Sequence, residues 1–96
     1  MNKTEIKNML GQLKIVDESV VSRYRNRYGY NYSNNHSPMD VNEAIKKVEL
    51  FIEFGGKITT FTDYIQVKWQ SHSEGELVIY RIGESTYFTH GWIEVG

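Results

Sequence analysis

Ten residues, Arg23-Tyr24-Arg25-Asn26-Arg27-Tyr28-Gly29-Tyr30-Asn31-Tyr32, hold three arginines and four tyrosines. Guanidinium groups pair with phosphates or carboxylates, and tyrosine rings stack on bases or fill protein pockets. Arg23, Arg25, Arg27, Tyr28, Tyr30 and Tyr32 are therefore the candidate partner-binding residues. On a helix Arg23 and Arg27 share a face while Arg25 sits about 160° from Arg23, so they form no single basic stripe. Three uses compete. The rings can be buried with the arginines solvated, the segment can meet a protein, or it can bind a single nucleic-acid strand.

The strand-rich C-terminal half offers a second surface. Tyr64, Tyr80, Tyr87 and Trp92, together with Trp69 and Phe88, exceed what one helix can cover. Sheet faces alternate, so some of these rings must lie on the side away from the helix. Tyr64, Tyr80, Tyr87 and Trp92 form the candidate sheet interface. An exposed final strand also allows edge-to-edge pairing, which makes a homodimer an expectation.

Catalytic chemistry has little to stand on. The chain has no cysteine, and His36, His72 and His90 show no metal-ligand spacing, so no metal or cofactor is expected. Each histidine reads as a solvated or capping side chain. There is no G-x-S-x-G elbow or Walker loop. Gly55-Gly56-Lys57-Ile58-Thr59-Thr60 echoes a phosphate loop but follows a helix and precedes a strand, the reverse of the order that aims N–H groups at phosphate. Asp63, Glu74, Glu76 and Glu84 fall at expected turns, where carboxylates are ordinarily solvated. A non-enzyme is expected.

The element that must position these surfaces is the main helix, expected over residues 38–54. Val41, Ala44, Ile45, Val48, Phe51 and Ile52 form its apolar stripe. Ser37-Pro38 and Asp40 with Glu43 offer alternative starts, and Gly55-Gly56 a left-handed end. Before it, Thr4–Leu13 reads as a helix capped by Thr4, Lys14–Val16 as a connection, and Asp17 or Ser19 to Tyr28 as a second helix. Tyr30–Ser37 reads as a loop.

After it come strands over Lys57–Thr62, Tyr64–His72, Glu76–Ile82, Ser85–His90 and Trp92–Val95. The expected turns are at Thr62-Asp63, Ser73-Glu74-Gly75 and Gly83-Glu84, with a bend or bulge at Gly91. Leu77 to Ile82 is almost continuously apolar, which suits a central strand covered on both faces, or one with a face covered by a partner. The expected fold is a single α+β domain over residues 1–96. N-terminal helices precede an antiparallel meander of four to five strands, with the main helix packed on the sheet.

Charge narrows the function classes. Residues 1–39 carry six basic and three acidic side chains (+3), and residues 40–96 carry five and nine (−4), summing to −1. That is too little for a strong nucleic-acid binder or a DNA mimic. No signal peptide or membrane span is read, so a cytoplasmic protein is expected. One Ala and one Pro among many Asn, Lys, Ile and Tyr is the usage of A/T-rich coding, as in a low-GC bacterium or its phage. The expectation is a small protein-binding inhibitor or accessory factor acting by steric occupation of a protein or nucleoprotein partner. Phage counter-defence (anti-CRISPR-like) and toxin-immunity proteins are the kinds in view. The alternative is a single-stranded DNA or RNA binder using residues 23–32.

Overall fold

The computed structural model describes residues 1–19, 38–70 and 73–95. The expected second helix beyond Ser19, the loop at 30–37 and the arginine–tyrosine segment lie outside these residues. Within them the chain runs α1 (Lys3–Gly11), β1 (Met39–Asp40), α2 (Val41–Glu53), β2 (Lys57–Thr60), β3 (Tyr64–Gln70), β4 (Ser73–Arg81) and β5 (Thr86–Val95). The strands form one antiparallel sheet in the order β1-β5-β4-β3-β2. The α+β architecture read from the sequence is the one observed.

The main helix is set at both ends by local chemistry. The Asp40 carboxylate accepts the Glu43 N–H at 2.9 Å, which selects Asp40 as the cap over Ser37-Pro38. Extended backbone at Asp40 leaves Met39 and Asp40 outside the helix, where they pair with Tyr87 and Thr86 as β1. At the other end Gly55 has a φ of 92°, and its N–H reaches the Ile52 carbonyl while Gly56 N–H reaches that of Phe51. Those two bonds close a Schellman motif. Gly56 is glycine for a different reason: a Cβ there would lie 2.6 Å from the Phe51 oxygen.

Helix α1 begins earlier than expected. Asn2, not Thr4, is its cap, because only Asn2 stands three residues before Glu5 and so completes a reciprocal capping box. Its buried side chains Ile6 and Leu10, with Leu13 just beyond, join Ala44, Ile45, Val48 and Phe51 of α2 in one core. Both helices therefore cover the same sheet face, the one carrying Ile65, Val67, Trp69, Leu77, Ile79 and Tyr87. Each large apolar side chain buried there contributes about 1.5–3 kcal/mol.

The opposite face holds a second cluster, Val78, Tyr80 and Phe88, packed with Val16, Tyr64 and Ile82. Strand β4 is thus buried on both sides by the chain itself, the first of the two readings of its apolar run. The 14–16 connection is stitched to the sheet: Lys14 N–H donates to the Thr62 carbonyl, and Val16 N–H to that of Arg81.

Two glycines read as turn and bend sit inside strands instead. Gly75 belongs to β4 opposite Trp69, whose indole lies over it so closely that a Cβ would fall 2.0 Å from the ring. Gly91 continues β5 in register opposite Leu77, and a Cβ there would meet the Glu76 carbonyl oxygen at 2.6 Å. Neither interrupts the ladder.

Candidate functional site

Strand β2 is, among the described residues, an open edge of the sheet. Lys57, Thr59 and Thr60 are exposed, and Ile58 alone turns partly inward toward the helix-side core. Along its inner edge β2 pairs only with β3, from Lys57↔Lys68 to Thr60↔Ile65. Among the described residues no strand pairs with its outward N–H and C=O groups, which suit solvent or a partner strand.

An exposed phenylalanine stands at each end of this strand. Phe54, 51% exposed, is the C-cap of α2 and leans on Phe51 and Trp69, with ring centroids 6.0 Å from each. Because Trp69 belongs to the helix-side core, Phe54 marks that side of the edge. Phe61, 42% exposed, follows β2 and stacks on Tyr64 at 4.5 Å. Its N–H donates to the Tyr64 carbonyl at 2.8 Å, which closes the turn into β3. Tyr64 packs with the second cluster, so Phe61 marks the outer side. The edge therefore carries one aromatic anchor per face, on a diagonal.

From Phe61 a row of rings continues inland. Tyr64 lies 5.3 Å from Tyr80, and Tyr80 stacks on His90 at 5.9 Å. His90 is 2% exposed, so it is a core side chain of the outer face and not a solvated or capping one.

Beside β2 the outer face is polar. Lys57 and Lys68 are directly opposed across the β2–β3 ladder, and Lys68 is opposed on its far side by Glu76. The Gln66 side-chain amide donates to the Glu76 carboxylate. Lys57, Thr59, Gln66, Lys68 and Gln70, together with Gly55 and Trp69, line an open cavity of about 420 Å³ at this corner. The described lining contains no carboxylate.

Of the residues singled out from the sequence, Tyr64 is half-buried, and Tyr80 and Tyr87 are 3% and 2% exposed. The register puts Tyr64 and Tyr80 on the outer face and Tyr87 on the helix face, in the main core. Tyr80 and Tyr87 thus offer almost no surface to a partner in this conformation. Burial also raises the Tyr87 phenol above its ordinary range, against a smaller opposing effect of Arg81. Trp92 is placed by backbone register alone, opposite Glu76. Arg23, Arg25, Arg27, Tyr28, Tyr30 and Tyr32 lie outside the described residues.

Phe54, Phe61, Lys57 and Lys68 were missed as a group. Their signal in the sequence was negative: Phe54 lies off the apolar stripe of α2, and Phe61 sits in a threonine-rich run outside any strand alternation. No helix among the described residues is long and apolar enough to cross a membrane. Comparisons with protein-family models, curated proteins and solved structures return no match to this chain.

Proposed function

We propose that this chain is a small non-catalytic protein-binding inhibitor or accessory factor, and that it engages its partner along the β2 edge. The observation carrying this reading is the pair Phe54 and Phe61, both about half exposed at the two ends of a strand that, among the described residues, is paired on one side only. Each ring, already about half buried, gains about 1 kcal/mol when a partner covers the rest, and the strand between them supplies directional hydrogen bonds. Rigid aromatic anchors around a hydrogen-bonding strip are the components of a binding hot spot. The mechanism is steric: the partner's surface is occupied, and nothing is turned over. Counter-defence and toxin-immunity proteins are the functional classes that suit such a device.

The test is capture from a low-GC host lysate by tagged wild type and by the double variant Phe54→Ala/Phe61→Ala, each with and without nuclease. Circular dichroism establishes that the variant is folded. The expected result is a protein retained by wild type after nuclease and lost from the variant. Recovery of nucleic acid alone, removed by nuclease, would overturn the proposal and move the function to Arg23, Arg25, Arg27, Tyr28, Tyr30 and Tyr32 as a single-strand binding segment.

A further inference from the structure

We infer that the β2 edge accepts an extended acidic segment of its protein partner, added to the sheet as a further strand with a carboxylate against Lys57 and Lys68. This rests on the reading of β2 as the partner-binding edge and specifies what that edge recognises.

The charge order across the outer face carries the argument. The cross-strand row Lys57–Lys68–Glu76 runs from the open edge inland, so both positive charges lie toward the edge. Like charges directly opposed on neighbouring strands are unfavourable. A carboxylate arriving beside Lys57 sets a negative charge at the open end of that row, as Glu76 does at its inner end, and offsets the repulsion between the two lysines. The cavity at this corner has room for it; its lining offers the Lys57 and Lys68 ammonium groups, the Gln70 amide and the Thr59 hydroxyl, while Gln66 is engaged by Glu76 on the inland side.

Strand geometry fixes the rest of the ligand. Residues of an added strand alternate between faces. A residue facing Lys57 lies on the outer side and is acidic, while its neighbour facing Ile58 lies on the helix side, where Phe54 awaits an apolar group. At the far end Phe61 awaits a second apolar side chain on the outer side. The ligand is therefore an extended segment with an acidic residue facing Lys57 and apolar residues facing Ile58 and Phe61.

Two other occupants fit less well. A nucleic-acid strand supplies the negative charge, but its phosphates only accept hydrogen bonds and leave the outward carbonyls of β2 unmatched. A second copy of this chain would bring two further lysines to an edge that already holds two.

The experiment measures fluorescence anisotropy of three labelled probes: a short extended peptide with Glu at one end and Val and Phe beyond it, its counterpart with Lys in place of Glu, and a short oligo-dT. The acidic peptide is expected to bind at least about tenfold more tightly than the lysine peptide. Lys57→Glu/Lys68→Glu should reverse that preference, and Lys57→Glu alone should weaken acidic-peptide binding. Amide exchange across Lys57–Thr60 should slow on binding. Equal affinity for the two peptides, no peptide binding, or oligo-dT binding that depends on Lys57 and Lys68 would each overturn the inference. Failure of the peptides while lysate capture still depends on Phe54 and Phe61 rejects the acidic ligand alone. Failure of both rejects the edge as the docking site.

Discussion

At Arg81 one side chain ties three parts of the molecule together through backbone carbonyls. Its Nη1 donates to Gly11 at 2.8 Å and Leu13 at 3.3 Å, at the C-terminal end of α1. Its Nε and Nη2 reach Gly83 and Glu84 in the β4–β5 turn. A planar fork with several donors can satisfy this spread of acceptors, and the negative end of the helix dipole adds to it. Arg81→Lys keeps the charge but not the fork. It should lower stability by about 2 kcal/mol, read as the denaturant midpoint with an unchanged slope. An unshifted midpoint would show the carbonyls to be equally well hydrated without the guanidinium. None of this was legible in the sequence, where Arg81 is one cation at a strand end. Gly75 and Gly91 were misread for a related reason. Glycine ordinarily punctuates a chain, and only the cross-strand partner reveals a ring or a carbonyl lying against it.

Among the elements, α2 was the most legible because its signals are local: a stripe at helical period, an acidic cap and a glycine pair. The cap is worth testing directly. Asp40→Ala removes the acceptor for Glu43 N–H and should cost about 1 kcal/mol, measurable by thermal or denaturant unfolding. A neutral result would return the cap to Ser37-Pro38. The competing cap signals at Ser37-Pro38 and Asp40 could be separated only by knowing that Met39 pairs with Tyr87, a contact between residues far apart in sequence. The strands were legible as a meander, since alternation and turn residues are local too. Their ends were not, because a ladder stops where its neighbour stops. Lys57–Thr62 shortens to Lys57–Thr60 as Phe61 turns to bond Tyr64.

For the molecule as a whole, the arrangement of elements decides which surface is left. Both α1 and α2 cover one face, β4 is buried on both sides, and the sheet ends at β2 with an aromatic anchor on each face. The sequence pointed to an aromatic sheet surface but not to its location. Strand order is a non-local property, and burial withdrew Tyr80 and Tyr87 while leaving Phe54 and Phe61 outside. The central claim is that partners meet this edge. Its most direct test is site-specific photo-crosslinking in host lysate, with the photoreactive residue replacing Thr59 on β2 or, as a control, Lys3 on α1, both exposed. The account predicts a discrete protein adduct from position 59, resistant to nuclease and absent from position 3. Equal adducts at both positions, or a nuclease-sensitive adduct at position 59, would contradict it.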